Sequence, residues 1–303
     1  MTATFVSATS VEDAVEAMAH GARPVAGGTD LVVGARQGKV PLPESLVAIH
    51  RVDELRGVTV ADDRVQLGAL TTHEEIAAHP VVAERLTALA DAAAIVGSHA
   101  TRAQGTVGGN LMNASPAMEV GGPLMVLSGT VGLRSAGGRR RVAVADLLSG
   151  PGQTVAEPGE LLTEVDVPLP PDGTGSCYVR LEYRQQMEIA IVGATAAVTL
   201  ADGRVCAAKL AITALAPTIV LVPEAEEALV GTDGGPASAK AAAQAAADAS
   251  RPISDVRGSA EYRRAMAVVV SRRAVEAAIA RARGEAIPIP ASRFLFGATR
   301  SPS

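Results

Sequence analysis

The chain has 303 residues, 48% of them apolar and 19% charged, with 27 Lys and Arg against 32 Asp and Glu for a net charge of −5. That is length enough for about two domains with real cores, and a composition too apolar for a disordered tail. The acidic balance, with no basic stripe carrying interleaved aromatics, argues against a nucleic-acid partner. Met1 to His20 shows no basic-then-apolar leader, and the most apolar stretch, Leu210 to Val222, is short and broken by Pro217. The sequence therefore predicts a soluble, cytoplasmic protein with no integral membrane segment.

Thr9-Ser10 opens a helix, with Glu12 and Asp13 at its positive end and Val11, Val15 and Met18 at helical spacing up to Gly21. Arg23-Pro24-Val25-Ala26 predicts a short strand that runs into Gly27-Gly28. Leu31 to Arg36 follows, then a loop bounded by Pro41 and Pro43 and a strand at Leu46 to Ile49. Val58–Val60 and Val65–Leu67 read as a hairpin turning at Ala61 to Arg64. Thr72 caps a helix carrying Glu74 and Glu75, which Pro80 ends, and a long alanine-rich helix over about Val81 to Val96 leads to Gly108-Gly109.

Strands at Thr130 to Arg134 and Leu161 to Val167 precede Pro168 to Gly173, the best candidate for a domain boundary. Beyond it come strands at Ile189 to Leu200, Cys206 to Leu215 and Ile219 to Val222, then helices over Ala237 to Ala249 and from Ser259. The last helix is expected to bury Tyr262, Met266, Val269 and Val270 and to turn Arg263, Arg264, Arg272 and Arg273 elsewhere. A Pro-rich tail follows Arg283, with Phe294 and Phe296.

Two segments carry chemistry, Ala26-Gly27-Gly28-Thr29-Asp30 and Thr106-Val107-Gly108-Gly109-Asn110. Each sets two adjacent glycines beside a small polar residue, in a setting that reads as a turn leaving a strand. A diphosphate is bound well by backbone amides in a tight turn, where Gly permits positive φ and leaves no Cβ in the way. Thr29 and Asn110 could add side-chain hydrogen bonds. Neither segment is a G-x-G-x-x-G and no P-loop is present, so spacing alone suggests an anion cradle only weakly and leaves an ordinary turn as the commoner reading.

The flanking residues are more specific. Arg23 to Leu31 resembles the first flavin motif of the FAD-binding medium subunit of molybdenum hydroxylases, the family of xanthine and carbon monoxide dehydrogenases. Thr106 to Leu111 followed by Asn113-Ala114-Ser115-Pro116 is similar to its second motif. Gly150 to Thr154, Pro158 to Leu162 and Arg251 to Arg263 also resemble that subunit, in family order. The resemblance implies an α+β fold: a two-lobed FAD-binding domain of the PCMH (vanillyl-alcohol-oxidase) type over residues 1–170, then a smaller α+β domain over 175–285 with a three-stranded sheet and a helix bundle, and a tail at 286–303.

It also implies a site. Ala26, Gly27, Gly28, Thr29, Asp30 and Leu31 with Thr106, Gly108, Gly109 and Asn110 would hold the pyrophosphate. Ser115 and Glu119 would lie along the cofactor, where Glu119 replaces the Asp of many relatives. Leu161 or Leu162 would lie near the flavin ring, Arg180 near a lysine of relatives, and Tyr183 is the best candidate for a ring neighbour. The molybdenum cofactor and two [2Fe–2S] clusters would belong to a large and a small partner subunit in an (LMS)2 heterohexamer, with electrons leaving to NAD, oxygen or a quinone. Thr29-Asp30 departs from the His-Ser associated with carbon monoxide dehydrogenases, which argues against CO. A stand-alone FAD oxidase or dehydrogenase of the same fold is the rival reading.

Other residues weigh less. Cys177 and Cys206 are expected to be small buried hydrophobes, and two thiols cannot hold a cluster that needs four. His20, His50, His73, His79 and His99 lack metal-ligand spacing and are expected at surfaces or helix ends, with His99 a candidate flavin neighbour. Ser115 has no G-x-S-x-G context, so it is not expected to be a hydrolase nucleophile. Arg139-Arg140-Arg141 reads as a solvated hairpin tip, with docking to a partner as the alternative.

Overall fold

The computed structural model describes residues 4–38 and 41–296. The first lobe winds β1 (Thr4–Ser7), α1 (Val11–Ala19), β2 (Arg23–Val25), α2 (Thr29–Arg36) and β3 (Ser45–Ala48) into a parallel sheet of order β1-β3-β2. Ser10 caps α1 as its sequence demands: its hydroxyl accepts from Asp13 N–H, and the Asp13 carboxylate accepts from Ser10 N–H in return. Val11, Ala14 and Val15 of α1 are buried in one cluster with Val47, Ile49 and Leu55.

The second lobe is an antiparallel sheet of order β4-β5-β10-β6-β7, made of β4 (Val58–Val60), β5 (Arg64–Gly68), β6 (Thr130–Ser135), β7 (Gly138–Ala143) and, from later in the chain, β10 (Leu161–Pro168). Between β5 and β6 run the short helices α3 (His73–Ala78), α4 (Pro80–Arg85), α5 (Thr87–Ala93), α6 (His99–Arg102), α7 (Val107–Asn113) and α8 (Gly121–Val126). Between β7 and β10 lie α9 (Val144–Leu147) and a small pair, β8 (Leu148–Gly150) with β9 (Gln153–Thr154). Val65, Leu67, Val131, Leu133, Val165 and Val167 alternate along these strands and meet Ile76, Leu86, Leu89 and Leu124 in one dry core.

Three long antiparallel strands, β11 (Thr174–Leu181), β12 (Val192–Ala201) and β13 (Arg204–Thr213), form the C-terminal sheet, and a two-residue β14 (Val220–Leu221) adds a short fourth to the three expected. One face, Cys177, Val179, Ala194, Ala196 and Val198, packs under α10 (Pro223–Leu229), α11 (Pro236–Ala249) and α12 (Ala260–Ala282). The other, with Tyr178, Ala197 and Ala211, turns to the second lobe's core. The chain ends in α13 (Ala291–Phe296), and the rest of the expected tail lies outside the described residues.

Four expectations change. The long helix is broken at Leu86, whose φ of −119° is not helical, because the chain there turns into the C-terminal sheet: Ala88 N–H donates to Ser176 Oγ at 3.0 Å and Thr87 Oγ1–H to the Ser176 carbonyl. In α12 the faces are exchanged at the start. Arg263 is buried and donates to the carbonyls of Ile191 and Ala214 and to Asp255, while Tyr262 is exposed, and small residues such as Ala267, Ala274 and Ala278 line the packed side. Arg139 to Arg141 lie in β7 rather than at its tip, with Arg140 paired to Glu160 and Arg141 to Asp166, both at 2.6 Å. Cys177 is buried as expected, but Cys206 is exposed on β13. No helix among the described residues is long and apolar enough to cross a membrane.

One buried carboxylate ties the two parts of the chain together. Asp91 on α5, 0% exposed, accepts from both Nη atoms of Arg281 on α12 at 2.6 and 3.0 Å, from Tyr178 N–H on β11 and from Ala291 N–H on α13. Its lone pairs are filled from three elements that follow the second lobe in sequence, which fixes their seating on it.

Candidate cofactor-binding cleft

Strand β2 ends at Val25 and the chain turns through Ala26-Gly27-Gly28 into α2. Gly28 is the N-cap in the left-handed region, φ +69°, and offers no side chain to cap the helix. The first-turn amides of α2 therefore present a positive end with no side-chain cap, the arrangement that receives phosphate oxygens. Gly27 serves by close approach: a Cβ there would be driven into the Gln104 carbonyl, beside Gly105. The first loop thus lies directly against the segment that enters the second.

The second glycine pair differs from expectation. It is the first turn of helix α7, and its amides are taken within the protein: Val107 N–H by the Thr71 carbonyl, Gly108 N–H by Ala69, Gly109 N–H by the Thr106 hydroxyl and Asn110 N–H by the Thr106 carbonyl, at 2.9 to 3.1 Å. The Thr106 cap starts the helix despite the two glycines that depress its propensity. What this loop leaves open is a side chain, since Asn110 Oδ1 is buried with no partner. A buried acceptor of that kind calls for a donor, which a bound molecule or an ordered water supplies.

The other predicted residues divide between cleft and core. Asp30 is exposed to solvent, yet surrounding protein raises its carboxyl above the usual range. Burial raises Glu119 as well, Arg180 opposes the rise, and the charge of Asp30 adds to it. Arg180 has a side chain with 0% exposure; its Nη1 lies 2.6 Å from Glu119 Oε1, and its Nη2 pairs with Glu182. It acts on the cleft through Glu119. Leu161 and Leu162 are buried in β10, one in each lobe's core. Tyr183 is 67% exposed, with its hydroxyl donating to the Arg257 carbonyl at 2.7 Å. Ala26, Leu31 and Ser115 are half-buried along the same segments.

Sequence reasoning placed His73 at a surface or helix end. It begins α3 but is buried against the loops: its ring lies 3.3 Å, and Thr29 Oγ1 3.7 Å, from where a Cβ on Gly105 would stand. Burial, with the Arg102 charge second, lowers its pKa from 6.5 to about 4. The unfolded chain thus binds a proton first as pH falls, and the folded state loses stability from pH 6.5 down to about 4. Acidification through that range is expected to cost about 3 kcal/mol through this residue, and His73→Gln should flatten that part of the profile in denaturant titrations.

Among the described residues no group of three or more His, Cys, Asp or Glu could hold a metal ion. What the cleft offers is an amide-lined positive helix end with hydroxyl-accepting carboxylates and an open amide side chain nearby. This donor and acceptor set fits an extended molecule with a diphosphate at its middle and hydroxyls beside it. FAD is such a molecule, which makes a flavin dinucleotide the candidate ligand.

The comparisons agree. Residues 1–170 match the family model described as the FAD binding domain in molybdopterin dehydrogenase, and residues 178–278 the CO dehydrogenase flavoprotein C-terminal domain. The chain is 35% identical to the carbon monoxide dehydrogenase medium chain of Afipia carboxidovorans, over 90% of this chain and 96% of that one. It is 32% identical to the 6-hydroxypseudooxynicotine dehydrogenase complex subunit alpha of Paenarthrobacter nicotinovorans, over 92% and 95%. The solved carbon monoxide dehydrogenase of Hydrogenophaga pseudoflava superposes with a TM-score of 0.89 at 31% identity, covering 93% of this chain and 98% of that one. The chain belongs to the FAD-binding medium-subunit family of the molybdenum hydroxylases, and its enzyme class is oxidoreductase.

Proposed function

We propose that this chain is the electron-exit subunit of a molybdenum hydroxylase complex. It takes electrons from two [2Fe–2S] clusters of a small partner subunit and passes them to NAD, oxygen or a quinone, while a large subunit with the molybdenum cofactor oxidises the substrate. The assembly this reading entails is a cytoplasmic (LMS)2 heterohexamer. Bound FAD supplies the exchange of electrons, and the protein's task is to bind and orient it.

The observation that carries this reading is the uncapped N-terminus of α2 at Gly28, pressed by Gly27 onto the Gln104-Gly105 segment. On it the amides of α2, with Thr29, hold the pyrophosphate. Asp30 and the Glu119 oxygen not bound to Arg180 accept from cofactor hydroxyls, and Asn110 completes its hydrogen bonding on the cofactor. Thr106, Gly108 and Gly109 act one step back, by fixing α7 so that Asn110 is presented. Arg180 positions Glu119, and Leu161 and Leu162 stiffen β10 beneath the cleft. Tyr183, exposed on the loop after β11 with its hydroxyl held by the Arg257 carbonyl, is the ring offered to the flavin. No substrate is assigned, since relatives of similar identity are named for carbon monoxide and for a nicotine derivative.

The test is purification from the native source. A yellow complex with an iron–sulfur chain and a larger molybdenum-containing chain is expected, and the isolated medium chain should oxidise no organic substrate. Turnover by the isolated chain contradicts the proposal.

A further inference from the structure

Arg102 closes α6 with only 6% exposure, yet no carboxylate stands within ion-pair distance of it among the described residues. Two of its five donors are used within the chain: Nη1 donates to the Val96 carbonyl at 3.1 Å and Nη2 to His99 Nδ1 at 3.0 Å. A guanidinium can only donate, so His99 Nδ1 accepts, and the imidazole proton sits on Nε2 as a further donor on an exposed ring.

Arg293 of α13 opposes the charge of Arg102; its Nη2 donates to the Gln185 carbonyl, and its Nε is buried with no partner. Glu74, the carboxylate in reach, is exposed and bonds to neither. Arg102 and the adjoining imidazole N–H thus hold donors with no matching anion, in a chain whose net charge is negative, and Arg293 adds a like charge that opposes that of Arg102. Buried charge is ordinarily compensated, and planar guanidiniums are matched by phosphate and carboxylate oxygens.

The place of the cluster narrows the ligand. Gly105 N–H donates to the Thr101 carbonyl of α6 at 2.6 Å, and Thr29 Oγ1 of the first loop lies 3.7 Å from where a Cβ on Gly105 would stand. Arg102 and His99 therefore stand on α6, which leads through Gly105 into the second glycine loop, next to the first. We propose that Arg102, oriented by His99 and joined by Arg293, forms a phosphate-ester subsite beside the first glycine loop. The inference rests on the flavin reading for one source of the ester, the pyrophosphate of FAD; a soluble phosphate ester bound to the loaded protein is the other.

The test uses the full-length protein stripped of flavin, titrated with FAD, riboflavin and inorganic pyrophosphate by flavin fluorescence and calorimetry. Wild type is expected to bind pyrophosphate in competition with FAD. Arg102→Met should weaken FAD about tenfold or more, the worth of a charge-assisted hydrogen bond, and leave riboflavin unchanged. Arg102→Lys should recover part of the loss, and Arg293→Met should weaken FAD about threefold. On FAD-saturated protein, pyrophosphate binding that Arg102→Met removes assigns the subsite to a soluble ester, and absence of binding assigns it to FAD.

Folded Arg102→Met and Arg293→Met proteins with wild-type affinities for both FAD and pyrophosphate overturn the proposal. If Arg102→Met fails to fold, Arg102→Lys and Arg293→Met decide by the same measurement. Wild type that binds pyrophosphate through Arg102 but no flavin sinks the flavin reading and leaves the subsite standing.

Discussion

Gly27→Ala is expected to weaken FAD binding by about two orders of magnitude, roughly 2.7 kcal/mol, while the C-terminal sheet stays folded. The reason is steric and local. A Cβ on Gly27 would overlap the Gln104 carbonyl, which is backbone and cannot rotate aside, so the two loops must part. Parting them pulls the α2 amides away from Thr106 and Asn110, and a site misplaced by about an ångström loses most of its preorganised binding. Gly28→Ala is the informative contrast. Its nearest neighbour would be the Val25 side chain at 3.7 Å, so the cost is the left-handed φ of +69°, about 1–2 kcal/mol, with the loops still in contact. Fluorescence titration of both variants checks the order of effects, and a Gly27→Ala protein with wild-type affinity would remove the loop contact from the account.

Asp91→Ala should destabilise the protein by about 3–5 kcal/mol, the cost of stranding a buried charge. Arg281, with a side chain only 6% exposed, loses its counter-ion, and the amides of Tyr178 and Ala291 lose their acceptor. Because Asp91 belongs to the second lobe and its partners to β11, α12 and α13, the loss falls on the seam between the two parts. A fall in Tm of roughly 10 °C and early proteolysis before α13 are expected. Asp91→Asn keeps an acceptor but not the charge, and should fall between. An unchanged Tm for Asp91→Ala would mean that the seam is held elsewhere.

Local signals in the sequence set much of the fold. The Ser10 capping box, the β4–β5 hairpin and the Thr72 cap, which Glu75 completes, depend on residues a few positions apart, and their patterns read directly. The break at Leu86 depends on Ser176, some ninety residues later, so an unbroken apolar pattern concealed it. The faces at the start of α12 depend on distant residues too. Tyr262 looks like core and Arg263 like surface until the carbonyls of Ile191 and Ala214 supply a buried guanidinium with acceptors.

In the cleft, the motif residues named the site but not their separate roles. Both glycine pairs looked like amide cradles, yet Ala69 and Thr71 take the second loop's amides, and no spacing within Thr106 to Asn110 announces that. His73 and Arg102 carry no pattern in the sequence, one a single His at a helix start and the other a single Arg ending a four-residue helix; burial without a counter-ion is what marks them. The Thr-His-Glu-Glu cap offered a hint, since it ties His73 to the turn that Gly105 touches.

The central claim is that the α2 N-terminus and the Gln104 to Asn110 segment together hold FAD. Flavin content measured on the purified chain, by visible absorption and by chromatography of the released cofactor, tests it most directly. One FAD per chain is expected, recoverable after stripping by addition of FAD and lost in Gly27→Ala. A folded wild-type chain that carries no flavin and does not quench added FAD would contradict it.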